Sequence, residues 1–165
     1  MAESGHELLL EEAQTIVAKH PDVLLIEFGM VDHCRREEPL EESADRFAND
    51  LEKMIRLFQE NGITVILVGF FQQNMTWEAE NMDATILFNE TLKEVAQKTD
   101  VYFADIYDIF DSVGNIKPIS RDVMADYIHH PTEWGHRLYF SRLINAFDVT
   151  DDMKPTDLEY YVFVE

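Results

Sequence analysis

Leu9, Ala13, Ile16 and Val17 recur at the spacing of one helix face, and after His20 and Pro21 residues 23–28 run apolar almost without a break. This predicts a helix followed by a strand. Phe47, Leu51, Met54 and Phe58 mark a second helix, the pair Asn61-Gly62 predicts a left-handed stop, and residues 64–70 form another apolar run. Phe88, Leu92 and Val95 repeat the helical spacing, and residues 101–106 supply a third strand with aromatic and β-branched content. Beyond Pro131, the residues Phe140, Leu143, Ile144 and Phe147 stand at i, i+3, i+4 and i+7, which predicts a closing helix.

Strands that are apolar throughout and alternate with helices predict a parallel sheet covered on both faces, a three-layer α/β/α fold. Ligands of such sheets bind beyond the carboxyl ends of the strands. Those ends are expected at residues 29–33, 70–77 and 105–108, with the loop 126–136 joining them there. After residue 148 the chain turns acidic, passes Pro155, and then becomes strand-like over 158–164, where Tyr160, Tyr161, Val162, Phe163 and Val164 are consecutive. This tail reads either as an added edge strand or as the first strand of something absent from the chain. There is no internal repeat, and 165 residues fit one domain, 1–165, with 148–165 as its tail.

Composition removes several classes of partner. A net charge of −20, from 33 acidic and 13 basic residues, repels phosphate backbones and anionic membrane surfaces. Neither nucleic acid nor a membrane is an expected partner. No apolar run approaches the roughly 18 residues of a membrane-spanning helix. Cys34 is the single cysteine, so no internal disulfide can form, and a reducing, cytoplasmic location is expected.

The chemistry concentrates in residues 126–136, Asp-Tyr-Ile-His-His-Pro-Thr-Glu-Trp-Gly-His. A histidine that activates a hydroxyl needs its far ring nitrogen held by a carboxylate, which fixes the tautomer and stabilises the imidazolium. Asp126 with His129 or His130 offers that pair: a three-residue step favours His129, and the His-Pro dipeptide favours His130. The second feature is the end of the first strand, where Gly29 permits close backbone approach and Asp32 can fix the loop by hydrogen bonds. Phe71 and Trp77, after the second strand, read either as pocket lining or as local packing. His136 is expected to cap or pack, and His6, His20 and His33 to be solvated. A rival reading gathers His129, His130, Glu133 and His136 with Asp126 around a metal, but the spacings lack the His-Glu-x-x-His helix signature, so neither metal nor cofactor is expected.

Together the two features resemble the SGNH hydrolases, also called the GDSL esterase and lipase family. Their third block is Gly-x-Asn-Asp after a buried strand, which Gly29-Met30-Val31-Asp32 matches with one departure. Their fifth is Asp-x-x-His, often followed by Pro and Gly-His, which residues 126–136 match, and Ser4-Gly5 resembles the end of the second block. The resemblance implies an ester hydrolase on an SGNH or flavodoxin-like sheet, with His130, His129 and Asp126 as catalytic candidates and Gly29, Val31 and Asp32 as substrate-binding ones. The partner implied is a small ester, an acetylated carbohydrate among the options.

The departures carry equal weight. The family's Gly-Asp-Ser nucleophile block has no counterpart, Ala2 takes the place of the second-block glycine, and Val31 replaces the asparagine that donates to the oxyanion. Losing one such donor costs about 10² to 10³ in turnover, and losing the serine removes the covalent route. The expectation is therefore little or no esterase activity from this polypeptide alone, in a shortened gene product or a degenerate paralogue kept for binding or assembly. Absence of the family's first strand would leave the edge of strand 23–28 apolar and unpaired. Another copy, giving a homodimer, or the segment from Tyr160 to Val164 is expected to cover it.

Overall fold

The computed structural model describes residues 5–28, 38–73, 75–116, 123–126 and 130–147. Gly29, Val31, Asp32, His33, Cys34, His129 and the tail from 148 onward lie outside the described residues.

Three strands form a parallel sheet in the order β1 (Val23–Glu27), β2 (Thr64–Val68), β3 (Tyr102–Ala104). The register sets Leu25 beside Ile66 and Ile66 beside Tyr102 in one row across the sheet. The helices are α1 (Gly5–Val17), α2 (Leu40–Glu60), α3 (Met75–Thr99), α4 (Ile106–Ile116) and α5 (Glu133–Leu143), followed by a 3-10 turn, Ile144–Ala146. The expected α/β class and all three strands are present. The strands are shorter than their apolar runs, because Gly69, Phe70, Asp105 and Ile106 leave the ladder for the turns and helix that follow.

Side chains that alternate along the strands divide the interior in two. Leu24, Ile26, Val65, Leu67 and Phe103 face a larger core filled by α1, α2 and α3. In it Phe47, Leu51, Met54 and Phe58 of α2 and Phe88 and Leu92 of α3 are fully buried. The helical spacing therefore identified the correct faces. Phe47 is the hub, its ring meeting Phe28, Phe88 and His6 at centroid distances of 5.1, 5.0 and 5.3 Å. His6 is thus 1% exposed and not solvated as expected. Its position on the α1 face against α2 places an imidazole edge on an aromatic ring, and Arg46 Nη1 lies 3.4 Å from its Nε2.

Val68 and Ala104 face the opposite way, into a smaller core with Ile106 and Phe110 of α4, Val123, Met124, and Tyr139 of α5. Here the sequence reading needs two corrections. Helix α4 was not expected at all, because it follows β3 after a single residue and its apolar positions read as the end of a strand. In α5 the buried positions are Gly135 and Tyr139, with Leu138 and Leu143 packed alongside. Phe140 and Ile144 are only half-buried and Phe147 is exposed, so the predicted seam is rotated from the true one. The aromatic ring of Tyr139 between Phe71 and Phe110 sets that rotation.

The expected stop after α2 is present: Gly62 takes φ +76°, which its missing Cβ allows. Among the described residues, no helix is long and apolar enough to cross a membrane.

Candidate active site

The acid–base motif is built on a short antiparallel bridge. Met124 pairs with Pro131, Ala125 N donates to His130 O at 2.7 Å, and Thr132 N donates to Val123 O at 2.7 Å. Val123 and Met124 are buried in the smaller core, so one arm of the bridge is anchored by apolar burial. The other arm runs into α5, whose N-cap is Thr132: its Oγ1 accepts from Gly135 N at 3.2 Å. Gly135 is required by contact and not by conformation. A Cβ there would stand 2.7 Å from Val123 O and 2.8 Å from Pro131 Cβ.

Asp126 and His130 sit at the tip of this bridge. One carboxylate binds the histidine twice: Oδ1 accepts the backbone N of His130 at 3.0 Å, and Oδ2 makes a short contact with ring Nδ1. A carboxylate on Nδ1 favours the proton there, leaving Nε2 as the basic nitrogen. The His130 side chain is 70% exposed and that of Asp126 33%. The pair is thus shaped as a base with a fixed tautomer presented to solvent.

Beneath the tip, Tyr139 ties α5 to the end of the first strand. Burial, and then the neighbouring Glu27 carboxylate, push its phenol pKa far above the usual range. Phe71, in the turn after β2, packs against Phe110 and Tyr139 with ring centroids 5.9 Å from each. It serves as local packing, one of its two expected readings. Gln72 and Gln73 follow it and are buried; Gln73 Oε1 accepts from Thr85 Oγ1 at 3.3 Å, and Gln72 Nε2 reaches Asp111 Oδ1 at 3.4 Å. Asn89 accepts the backbone N of Phe70 at 3.0 Å, and its Oδ1 would lie 2.7 Å from any Cβ on Gly69. These groups fix the turn at the carboxyl end of β2.

The sequence reading missed Gln72, Gln73, Asn89 and Tyr139. Polar residues where the apolar pattern calls for hydrophobic ones, such as Asn89 between Phe88 and Leu92, were the available signal. His136 is exposed, with its ring centroid 6.3 Å from that of Tyr139, so of its two expected roles it packs, and Thr132 caps the helix. Among the described residues, no group of three or more His, Cys, Asp or Glu side chains is placed to hold a metal ion; His129, part of the rival set, lies outside them. Gly29, Val31 and Asp32 are also outside, and the side chain of Trp77 is not among those described.

The sequence matches the model of the GDSL-like lipase/acylhydrolase family over residues 2–138. Comparison with curated proteins gives no match. Among solved structures, an acetylxylan esterase from Geobacillus stearothermophilus superposes with TM-score 0.72 at 18% identity, over 88% of this chain and 68% of that one. A catalytic mutant of its aspartate gives 0.74 at 16%, with the same coverage. A GDSL-like lipase from Parabacteroides merdae gives 0.71 at 18%, over 86% of this chain and 67% of that one. Identities this low establish likeness of fold, and the chain spans about two thirds of those structures' length. Solved catalytic mutants of the Geobacillus esterase also include its serine and a histidine three residues beyond that aspartate. The same step in this chain leads from Asp126 to His129, whereas the observed hydrogen-bonded pair takes one residue more and ends at His130.

Proposed function

The chain belongs to the GDSL-like lipase/acylhydrolase family, and from that premise we propose that Asp126 and His130 are the acid–base half of a site for hydrolysing small acyl esters, acetylated carbohydrates among them. The observation that carries this reading is the double grip of one carboxylate on His130, at a bridge anchored by buried Val123 and Met124. In such a site Nε2 removes the proton from an attacking hydroxyl as the new C–O bond forms at the acyl carbon. It then returns that proton to the departing alcohol oxygen, and Asp126 stabilises the imidazolium between the two steps.

No Gly-Asp-Ser segment occurs among the 165 residues, and Val31 occupies the place of the oxyanion asparagine. Without the serine of that block, the hydroxyl that His130 can activate on these residues is that of water, and no covalent acyl intermediate forms. A positioned general base contributes about 10² to 10⁴, so the 165 residues give slow, water-dependent turnover at most. The assay is hydrolysis of p-nitrophenyl acetate and of acetylated xylooligosaccharides by the wild type, Asp126→Asn, His130→Ala and His129→Ala. Turnover above buffer should be small, fall at least tenfold in Asp126→Asn and His130→Ala, and persist in His129→Ala. Turnover that survives His130→Ala and is lost in His129→Ala would refute the assignment of the pair.

A further inference from the structure

An exposed indole stands beside the candidate pair. Trp134 follows His130 by four residues, lies in the first turn of α5, and is 44% exposed. Tryptophan is highly buried on average, and a buried one usually gives its N–H a partner. Among the described residues the Trp134 nitrogen makes no hydrogen bond, so both the ring face and the donor are open to a ligand.

The backbone under this ring is fixed to the bridge that carries His130. At Gly135, the next residue, a Cβ would stand 2.7 Å from Val123 O and 2.8 Å from Pro131 Cβ, and Thr132 both caps the helix and bonds Val123 O. The first turn of α5 and the Asp126–His130 tip are therefore held as one unit. Successive helix positions are about 100° apart, so Trp134 stands beside the close contact at Gly135. Helix side chains lean toward the N-terminus, which displaces the indole toward the tip. Four residues of chain span at most about 14 Å, which bounds the separation of the His130 and Trp134 backbones.

The neighbours of the indole decide what it fits. Glu133, His136 and Arg137 are all exposed, Glu133 and Arg137 are paired at 3.0 Å, and the Asp126–His130 pair occupies the tip. An acyl chain is held by a concave apolar slot, and one ring among charged and polar groups is not such a slot. A pyranose has the complementary shape and chemistry: its C–H groups cover the negative face of the indole, and its rim of hydroxyls meets the polar groups around it. Anionic ligands are disfavoured by Asp126, by Glu133 and by the net charge of −20.

We propose that Trp134 is a stacking platform for a sugar ring next to the acylated one, and so sets a preference for acetylated oligosaccharides over simple acetates. The inference rests on the hydrolytic reading for where the acyl group lies, and its test therefore reads binding apart from turnover. In Trp77→Phe, Trp134 is the one tryptophan left, and titrating that full chain with partially acetylated xylotetraose should shift its fluorescence saturably. By calorimetric titration the dissociation constant should rise at least fivefold in Trp134→Ala and return to within twofold of the wild type in Trp134→Phe, which keeps a flat ring. Saturable binding without hydrolysis would support the platform and sink the hydrolytic reading instead. Emission that ignores the sugar, or an affinity that Trp134→Ala leaves unchanged, would overturn the platform whatever the turnover. So would emission that responds to octanoate and not to xylotetraose, which would make an acyl chain the occupant, or a dimer by sedimentation that Trp134→Ala dissociates, which would make it a second copy.

Discussion

Gly135→Ala isolates the contact that holds the candidate site to its helix. In an exposed helix this exchange stabilises by about 1 kcal/mol, because alanine loses less backbone freedom and is the better helix former. Here the added methyl would stand 2.7 Å from Val123 O and 2.8 Å from Pro131 Cβ, both on the bridge that carries Asp126 and His130. Neither neighbour is the far end of a flexible side chain. The carbonyl of Val123 already accepts Thr132 N at 2.7 Å and Thr132 Oγ1 at 3.2 Å, so moving it strains two hydrogen bonds and the helix cap. Overpacking of this kind typically costs about 1–3 kcal/mol, which offsets the propensity gain and leaves a net loss of about 0–2 kcal/mol. At a urea slope of about 2 kcal/mol/M the midpoint then falls by up to about 1 M. Urea denaturation followed by circular dichroism measures it directly. A midpoint above that of the wild type would refute the close approach, and with it the account of how α5 positions His130.

Three further outcomes follow from the same geometry. Phe47→Ala should cost about 3–5 kcal/mol in urea denaturation, because a fully buried ring at the meeting point of Phe28, Phe88 and His6 leaves a cavity that the two flanking helices cannot close. Asn89→Ala should cost about 1–3 kcal/mol by stranding the buried N–H of Phe70; a loss below 0.5 kcal/mol in the same measurement would mean that the turn after β2 is held otherwise. Tyr139 has a phenol pKa raised by burial and then by Glu27. The unfolded chain ionises this tyrosine near pH 10 while the folded chain does not, so its contribution is fully present below that pH and is lost progressively above it. Denaturation midpoints at pH 8 to 11 should therefore fall less steeply in Tyr139→Phe than in the wild type.

The helix faces and strands were legible because burial repeats at fixed periods. Phe47, Leu51, Met54 and Phe58 had to share one face of any helix that contained them, and all four are buried. Asp126 and the two histidines were legible for a different reason: the carboxylate, the His-Pro dipeptide and the Gly-His pair together resemble one block of the SGNH hydrolases. Helix α4 escaped because it follows β3 without a turn signal, its apolar residues continuing the strand's run. Tyr139 escaped because the i, i+3, i+4, i+7 positions of its helix were taken by Phe140, Leu143, Ile144 and Phe147, which pack less deeply than it does.

By itself the sequence determined the α/β class, the three strands with the helices α1, α2 and α3, and the site motif, since each rests on a pattern of residues near in the chain. It did not show how Asp126 meets His130. That contact belongs to tertiary structure: the bridge between Met124 and Pro131 sets where the chain turns back, and the turn brings the backbone N and Nδ1 of His130 onto one carboxylate. The burial of His6, and the rotation of α5 about Tyr139, were likewise decided by contacts between segments far apart in sequence, where local periodicity carries no information.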